Sequence, residues 1–585
     1  MRTIIYLLIL QVPFICQSQT LPTNRSVDWK LAGLKDTSTI GFVEIDMQLL
    51  GLNDNGIISN DLLLDSVLNE VGDQGTILTF PEGDFLFEQT IHLPNNIVIR
   101  GAGAESTTFH FDLDGSGHSF DIQGDNDNGS TTSIINDAWK DNDFIVVDDP
   151  SIFAPGDWVR VLLNDSSLVT SSWAYKTVGQ VVQILAIEND KLVLKSPLRM
   201  DYHTAQLPYI VRMSPAKNVG IECLKIHRID NTAPSQTSNV YFSYTVNCWV
   251  NGIESENCTF SHVQARRSSN IHVSNSYFHH AFEYGGNGRA YGVMLHITTN
   301  ECLVENNIFE HLRHSMIVQA GANGNVFAYN YSLDPYWEST PSNSAGDIVL
   351  HGNYTYANLF EQNICQNIVI DNSHGPNGPF NTMFRNRSEG YGIFFSSNNS
   401  PDQNFLGNEV TNSSFPYSLV NYTILGSGHF IHGNNNKGII HPSGTELLPD
   451  VSYAYAQKPD FLANSEWAGI GSPNVMGSKS IPAYDRFHNG MLFTNICSSS
   501  YAATELIDES EAISIYPNPS STYFYVKGIP NEFSISVYNS LGVLILNNSV
   551  LTENDRVDLS TLPKGLLLVR VQNGEHVFLQ KVLNQ

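Results

Sequence analysis

Seven histidines fall between His279 and His374, interleaved with arginines, tyrosines and a tryptophan. Histidine titrates near neutral pH and a guanidinium grips a carboxylate through two parallel bonds, so this mixture suits proton transfer beside an anionic group. The residues in question are Arg289 and Tyr291, the run His311-Leu312-Arg313-His314, Tyr336-Trp337-Glu338, Asp347, and His374 followed by Asn377. A second set closes short apolar runs: Val293-Met294-Leu295-His296, Met316-Ile317-Val318-Gln319, Ile348-Val349-Leu350-His351, Ile368-Val369-Ile370-Asp371 and Ile393-Phe394-Phe395-Ser396. If those runs are neighbouring strands, their last residues form one polar column. Four steps at the spacing of paired strands make a stripe of roughly 19 Å. A stripe of that length seats several sugar rings, with Tyr336 and Trp337 stacking on their apolar faces.

Three functions fit these residues. A polysaccharide lyase acting by β-elimination on a uronic-acid polymer needs the carboxylate neutralised and the adjacent proton removed. Arg313 or Arg289 would neutralise, and His314, His351 or Tyr336 would take the proton, with Asp371 in the same column. Arg289, His296, Gln319, Trp337, His374 and Asn377 are the candidate substrate contacts. No cofactor is required; calcium on Asp347 and Asp371 is the alternative to the arginine. A glycoside hydrolase needs two carboxylates flanking the bond, for which Asp347 and Asp371 are the natural pair and Glu338 or Glu283 the reserve. A carbohydrate-binding surface protein without catalysis is the third. A polar side chain at a strand end often just satisfies backbone groups, which is the default for any single histidine here. For the convergent cluster we favour function, with the lyase ranked first.

The elements that must position these groups are short strands. From Asn218 to Asn412 there is little helical periodicity and many runs rich in Val, Ile, Phe and Asn, each ended by Gly, Asn or Ser. Asparagine recurs after an apolar strand at Asn257, Asn275, Asn306, Asn330, Asn363, Asn386 and Asn408, on a rung of about twenty residues with loops of variable length, the mark of a solenoid. Stacked asparagines at a bend tolerate left-handed backbone and pass hydrogen bonds between rungs, so their role is structural. Near the start stand Gly75-Thr76-Ile77-Leu78-Thr79-Phe80-Pro81-Glu82-Gly83 and Leu93-Pro94-Asn95-Asn96-Ile97-Val98-Ile99-Arg100-Gly101-Ala102-Gly103, after a capping helix near Asp61 to Val71. In these motifs the chain resembles right-handed parallel β-helix proteins of the pectate-lyase superfamily. That resemblance implies an all-β fold, with cap and first coils over 19–123 and the β-helix body with an irregular tail over 213–497; between them Phe153-Ala154-Pro155-Gly156-Asp157-Trp158-Val159 and the alternating run Val181 to Leu194 suggest a small β-barrel-like insertion over 124–212.

The two ends read differently. Arg2, the apolar stretch Ile4 to Phe14 and the small-residue exit Cys16-Gln17-Ser18 predict a secretory signal peptide over 1–18. Ile15 stands where a lipoprotein would carry a small residue, so no lipid anchor is expected, and no other stretch is apolar enough to span a bilayer. The other six cysteines form no CxxC pair and read as buried thiols, with any disulfide unassigned. With 30 Lys and Arg against 58 Asp and Glu, net charge −28, nucleic acid is excluded as a partner. An anionic glycan would be bound only where cations concentrate locally.

After a linker over 498–510 come Tyr516-Pro517-Asn518-Pro519, Phe524-Tyr525-Val526-Lys527-Gly528, Val537-Tyr538-Asn539-Ser540-Leu541-Gly542, Asp558-Leu559-Ser560-Thr561-Leu562-Pro563-Lys564-Gly565 and Lys581-Val582. Residues 511–585 thereby resemble the type A C-terminal sorting domain of the type IX secretion system of Bacteroidetes, an antiparallel β-sandwich. Leu566, Leu567 and Leu568 depart from the aromatic residue usual at that point. The resemblance implies export through the periplasm, the type IX machinery as partner, and a secreted or surface-attached product.

Overall fold

The computed structural model describes residues 19–34, 42–419, 422–463, 465–467, 469–493, 497, 514–518, 520–527, 533–538, 544–552, 555–573 and 576–584. The expected signal peptide and linker lie outside them.

Single residues in left-handed conformation bend the chain between short strands. At successive rungs of one corner they are Gly252 (φ 64°), Asn275 (56°), Asn306 (55°), Tyr329 (56°), Gln362 (54°) and Arg385 (54°), while Asn257 (59°), expected in the same column, bends a different corner with His280 (60°) and His311 (52°). Asparagine enters this region most readily among residues with a Cβ. The bends wind the chain into a right-handed parallel β-helix with two continuous sheets, one of 12 strands and one of 20 in which two faces merge. Inward residues stack in register, as in Val250, Val273, Val304, Phe327, Phe360, Met383 and Phe405 along the smaller sheet. All are fully buried in one continuous core. Each such side chain contributes about 1.5–3 kcal/mol of burial. The helix Asp61–Val71 places Leu64, Val67 and Leu68 over the first coils as a cap.

The asparagine column is corrected by one position. Asn330, Asn363, Asn386 and Asn408 form a ladder in which each backbone N–H donates to the next side-chain oxygen at 3.0 Å, but the ladder begins at Asn307, whose N–H donates to Asn330. Asn306 belongs with Asn275 and Asn251, its amide donating to Asn275 Oδ1 at 2.8 Å. Two adjacent positions both favour asparagine, one for the bend and one for the ladder, and sequence spacing alone merged them.

Strands from Asp125–Ser133 to Tyr209–Ser214 form a separate six-stranded antiparallel sheet. It docks on the β-helix through a buried ion pair between Arg199 and Glu301. Asn300 adds bonds to both the N–H (2.6 Å) and carbonyl (3.0 Å) of Val181. Cys223 and Cys497 form a disulfide, tying the tail to an early coil, while Cys248, Cys258, Cys302 and Cys365 are buried thiols. The C-terminal region holds a three-stranded and a four-stranded antiparallel sheet around Phe524, Val526, Ile535, Val537, Val569 and Val571.

Candidate active site

Strand pairing sets the polar column. His296 lies beside Gln319 and His351 beside Asp371, while Val318 beside Leu350 aligns the two pairs. Leu295, Val318, Leu350 and Ile370 point into the core. Because side chains alternate along a strand, the four polar residues face outward. Met294, Ile317, Val349 and Val369 share that outward face and form an apolar patch with Phe260 and Tyr291. At the opposite strand ends Tyr291 stands in register with His314.

These groups converge. The His314 and His351 rings are 5.7 Å apart, His351 and His374 4.8 Å, and Tyr291 stacks on His314 at 5.1 Å. His351 Nδ1 lies 2.6 Å from Asp371 Oδ2. Asp371 also accepts from Ser373, at 3.0 Å from N–H and 2.6 Å from the hydroxyl. Burial alone would raise its pKa, but His351 and Ser373 more than offset this and hold the carboxyl well below the usual range. It is therefore ionised.

His314 Nδ1 lies 2.9 Å from the Gly346 carbonyl. A carbonyl only accepts, so that nitrogen carries the hydrogen and Nε2 keeps its lone pair. Burial, then the charges of Arg313 and His351, push the His314 pKa well below its ordinary value. It stands neutral at pH 7, with Nε2 unprotonated.

Arg313 lies over the rings of Tyr291 and Trp337 (5.8 and 5.9 Å) and donates to the Gly285 carbonyl at 2.9 Å. It has no carboxylate partner among the described residues, and its Nε is buried without a hydrogen bond. His296 Nε2 accepts from the Gln264 amide at 2.9 Å, and Gln319 donates to the His351 carbonyl at 3.1 Å.

Other expected residues sit elsewhere. Tyr336 stacks on His311 (4.8 Å) and meets Tyr284 edge-on (5.0 Å), in a second aromatic group; Tyr291 is the tyrosine against His314. Arg289 is held by Glu283 and by the Ala233 carbonyl. Asn377 is buried, its oxygen accepting from Gly352 N–H and its amide donating to the Asp371 carbonyl; it shapes the turn rather than facing a ligand.

Asp347 is also buried, accepting from Ser332, Gln366 N–H and Asn367 N–H. It stands at the far end of its strand, and with Ile348 beside Ile368 it is about 13 Å along the sheet from Asp371. The two share neither a calcium ion nor a glycosidic bond. The group with metal-ligating spacing among the described residues is Glu254, Glu256 and His279. Lys225 Nζ already lies 2.7 and 2.6 Å from its two glutamates.

Sequence reasoning missed Trp173. This exposed indole belongs to the insertion and meets His374 edge-on at 5.8 Å. Its loop is pinned by buried Asp165, which accepts from the N–H groups of Lys176, Thr177 and Val178 at 2.8–3.0 Å. The pair Trp173 and Tyr175 in an otherwise polar segment was the available signal.

The molecule is thus a parallel β-helix protein with an outward histidine, arginine and aspartate cluster and a C-terminal module. Residues 514–585 match the family described as the secretion system C-terminal sorting domain. The protein is exported by type IX secretion to the cell surface or beyond. No curated protein matches its sequence.

Similar solved structures include the gp54 tailspike of Acinetobacter baumannii bacteriophage AP22 in complex with capsular saccharide, at 12% identity over 68% of this chain and 75% of that one, TM-score 0.33. Another is the catalytic unit of a GH87 α-1,3-glucanase from Streptomyces thermodiastaticus (12%, 71% and 68%, TM-score 0.34). A third is PfbA, a surface adhesin of Streptococcus pneumoniae (12%, 68% and 96%, TM-score 0.31).

Proposed function

We propose that this is an exported, carbohydrate-active enzyme of the pectate-lyase-like β-helix type that cleaves a uronic-acid-containing polysaccharide by β-elimination. The observation that carries this reading is the pairing of a neutral histidine with an aspartate-bound one beside an arginine that no carboxylate neutralises. Arg313 receives the sugar carboxylate, which makes the neighbouring carbon acid stronger. His314 Nε2 removes that proton, and the electron pair forms the carbon–carbon double bond as the bond to the leaving oxygen breaks. His351, which Asp371 holds in place, is the group that donates a proton to that oxygen. Tyr291 fixes the His314 ring, while Trp173 and Trp337 offer faces for sugar stacking.

A hydrolase needs two facing carboxylates, and Asp347 does not face Asp371. The test is incubation with a panel of uronate-containing and neutral polysaccharides, following ultraviolet absorbance and reducing ends together. Elimination raises both, and His314→Ala lowers the rate by about 10²–10⁴-fold. Reducing ends without the chromophore would assign a hydrolase; binding without product would assign a non-catalytic surface protein.

A further inference from the structure

Upstream along the same column stands a group of cations with no carboxylate paired to them among the described residues. Arg266 lies in register beside His296, and Arg267 follows it at the corner. From the insertion, Arg160 approaches the same point. Arg160 and Arg267 both lie over the ring of Tyr244, at 5.5 and 5.3 Å, and Arg266 donates to the Tyr241 hydroxyl at 3.3 Å. Arg160 is buried and the other two half-buried. None of the three forms an ion pair with a carboxylate among the described residues, although the chain carries 58 Asp and Glu. Arg160 Nε, Arg266 Nε and the neighbouring His296 Nδ1 are buried without hydrogen-bond partners.

Buried charge is retained when something pairs with it, and a buried donor left unmade is costly. Contact with an aromatic face supplies part of the compensation but no acceptor. In a chain with nearly twice as many acids as bases, a carboxylate partner would be the easy solution. We propose that Arg160, Arg266 and Arg267 form an anion subsite that takes a carboxylate or sulfate-ester substituent of the saccharide, three rungs from His351, roughly 14 Å along the column. The ligand chemistry is a planar or tetrahedral oxyanion accepting from several guanidinium N–H groups. Burial, and after it repulsion by the neighbouring Arg266, lowers the Arg267 pKa to about 10, and that repulsion is relieved when the anion binds. The inference rests on the reading that the cleft holds a saccharide and names its charge. It also gives the insertion a role, since Arg160 belongs to it.

The test is calorimetric titration of the full exported chain with dextran sulfate, polygalacturonate and neutral dextran, alongside ultraviolet absorbance. Binding of a charged polymer, weakened tenfold or more by Arg267→Gln and by Arg266→Gln, is expected, with melting curves confirming that each variant folds. Arg570→Gln in the C-terminal module makes the same charge change and should bind as the parent does. Preference for one charged polymer distinguishes sulfate from carboxylate. Charged polymers binding no better than dextran, or both arginine variants binding normally, would overturn the subsite. A charged polymer that binds through these arginines but yields no chromophore leaves the subsite standing and removes the elimination reaction instead.

Discussion

At the level of single residues, His314 and Arg313 are coupled through charge. Burial is the larger cause of the low His314 pKa and the Arg313 cation the next, so Arg313→Gln should raise that pKa toward its ordinary value. The acid limb of the kcat/KM profile for residual activity should then move to higher pH. Arg313→Lys, which keeps the charge, should leave the limb in place while losing the two-bonded grip on the carboxylate. An unchanged limb in the glutamine variant would remove His314 as the titrating base. His296, Gln319, His351 and Asp371 were legible in the sequence because each closes an apolar strand whose alternation fixes an outward end. Tyr291 was visible only as one of several tyrosines, because its partnership with His314 is a matter of strand register. Trp173 arrives from a separate sheet, and nothing local in its sequence says which coil it will meet.

Between strands, the asparagine ladder and the buried acids of the corners set stability. Asn363 accepts from the backbone N–H of Asn330 at 3.0 Å and donates to Asn386 and to the Phe327 carbonyl. Asn363→Ala leaves these buried groups unmade and should cost about 3 kcal/mol in urea unfolding; an exposed asparagine, Asn399→Ala, should cost almost nothing. The existence of the ladder was legible, but its starting rung was not, since Asn306 and Asn307 are both asparagine and only the coil length decides which continues.

Glu361 accepts from the N–H groups of Tyr453 and Ala454 in the tail. Burial raises its pKa from 4.5 to about 7. A carboxyl raised on folding favours the native state while protonated, and that contribution is lost as pH rises through 7. Glu361→Gln should therefore gain stability relative to the parent between pH 4.5 and 8, by up to about 3 kcal/mol. Parallel melts across that range check it, and a constant difference would refute the assignment.

For the whole chain, the sorting module governs location and the β-helix carries the candidate site. Deleting 511–585 should leave the protein in the periplasm with its polysaccharide activity intact in extracts, as fractionation and assay would show. The overall architecture was readable from rung-like repeats and the ordered C-terminal motifs, whereas the docking of the insertion depends on Arg199, Glu301 and Asn300, which no periodicity marks. The bond between Cys223 and Cys497 spans 274 residues and suits the oxidising surroundings to which the chain is sent. Outside the cell a protease that nicks a surface loop between those two cysteines leaves both fragments covalently joined, so the cut ends stay tethered to one molecule.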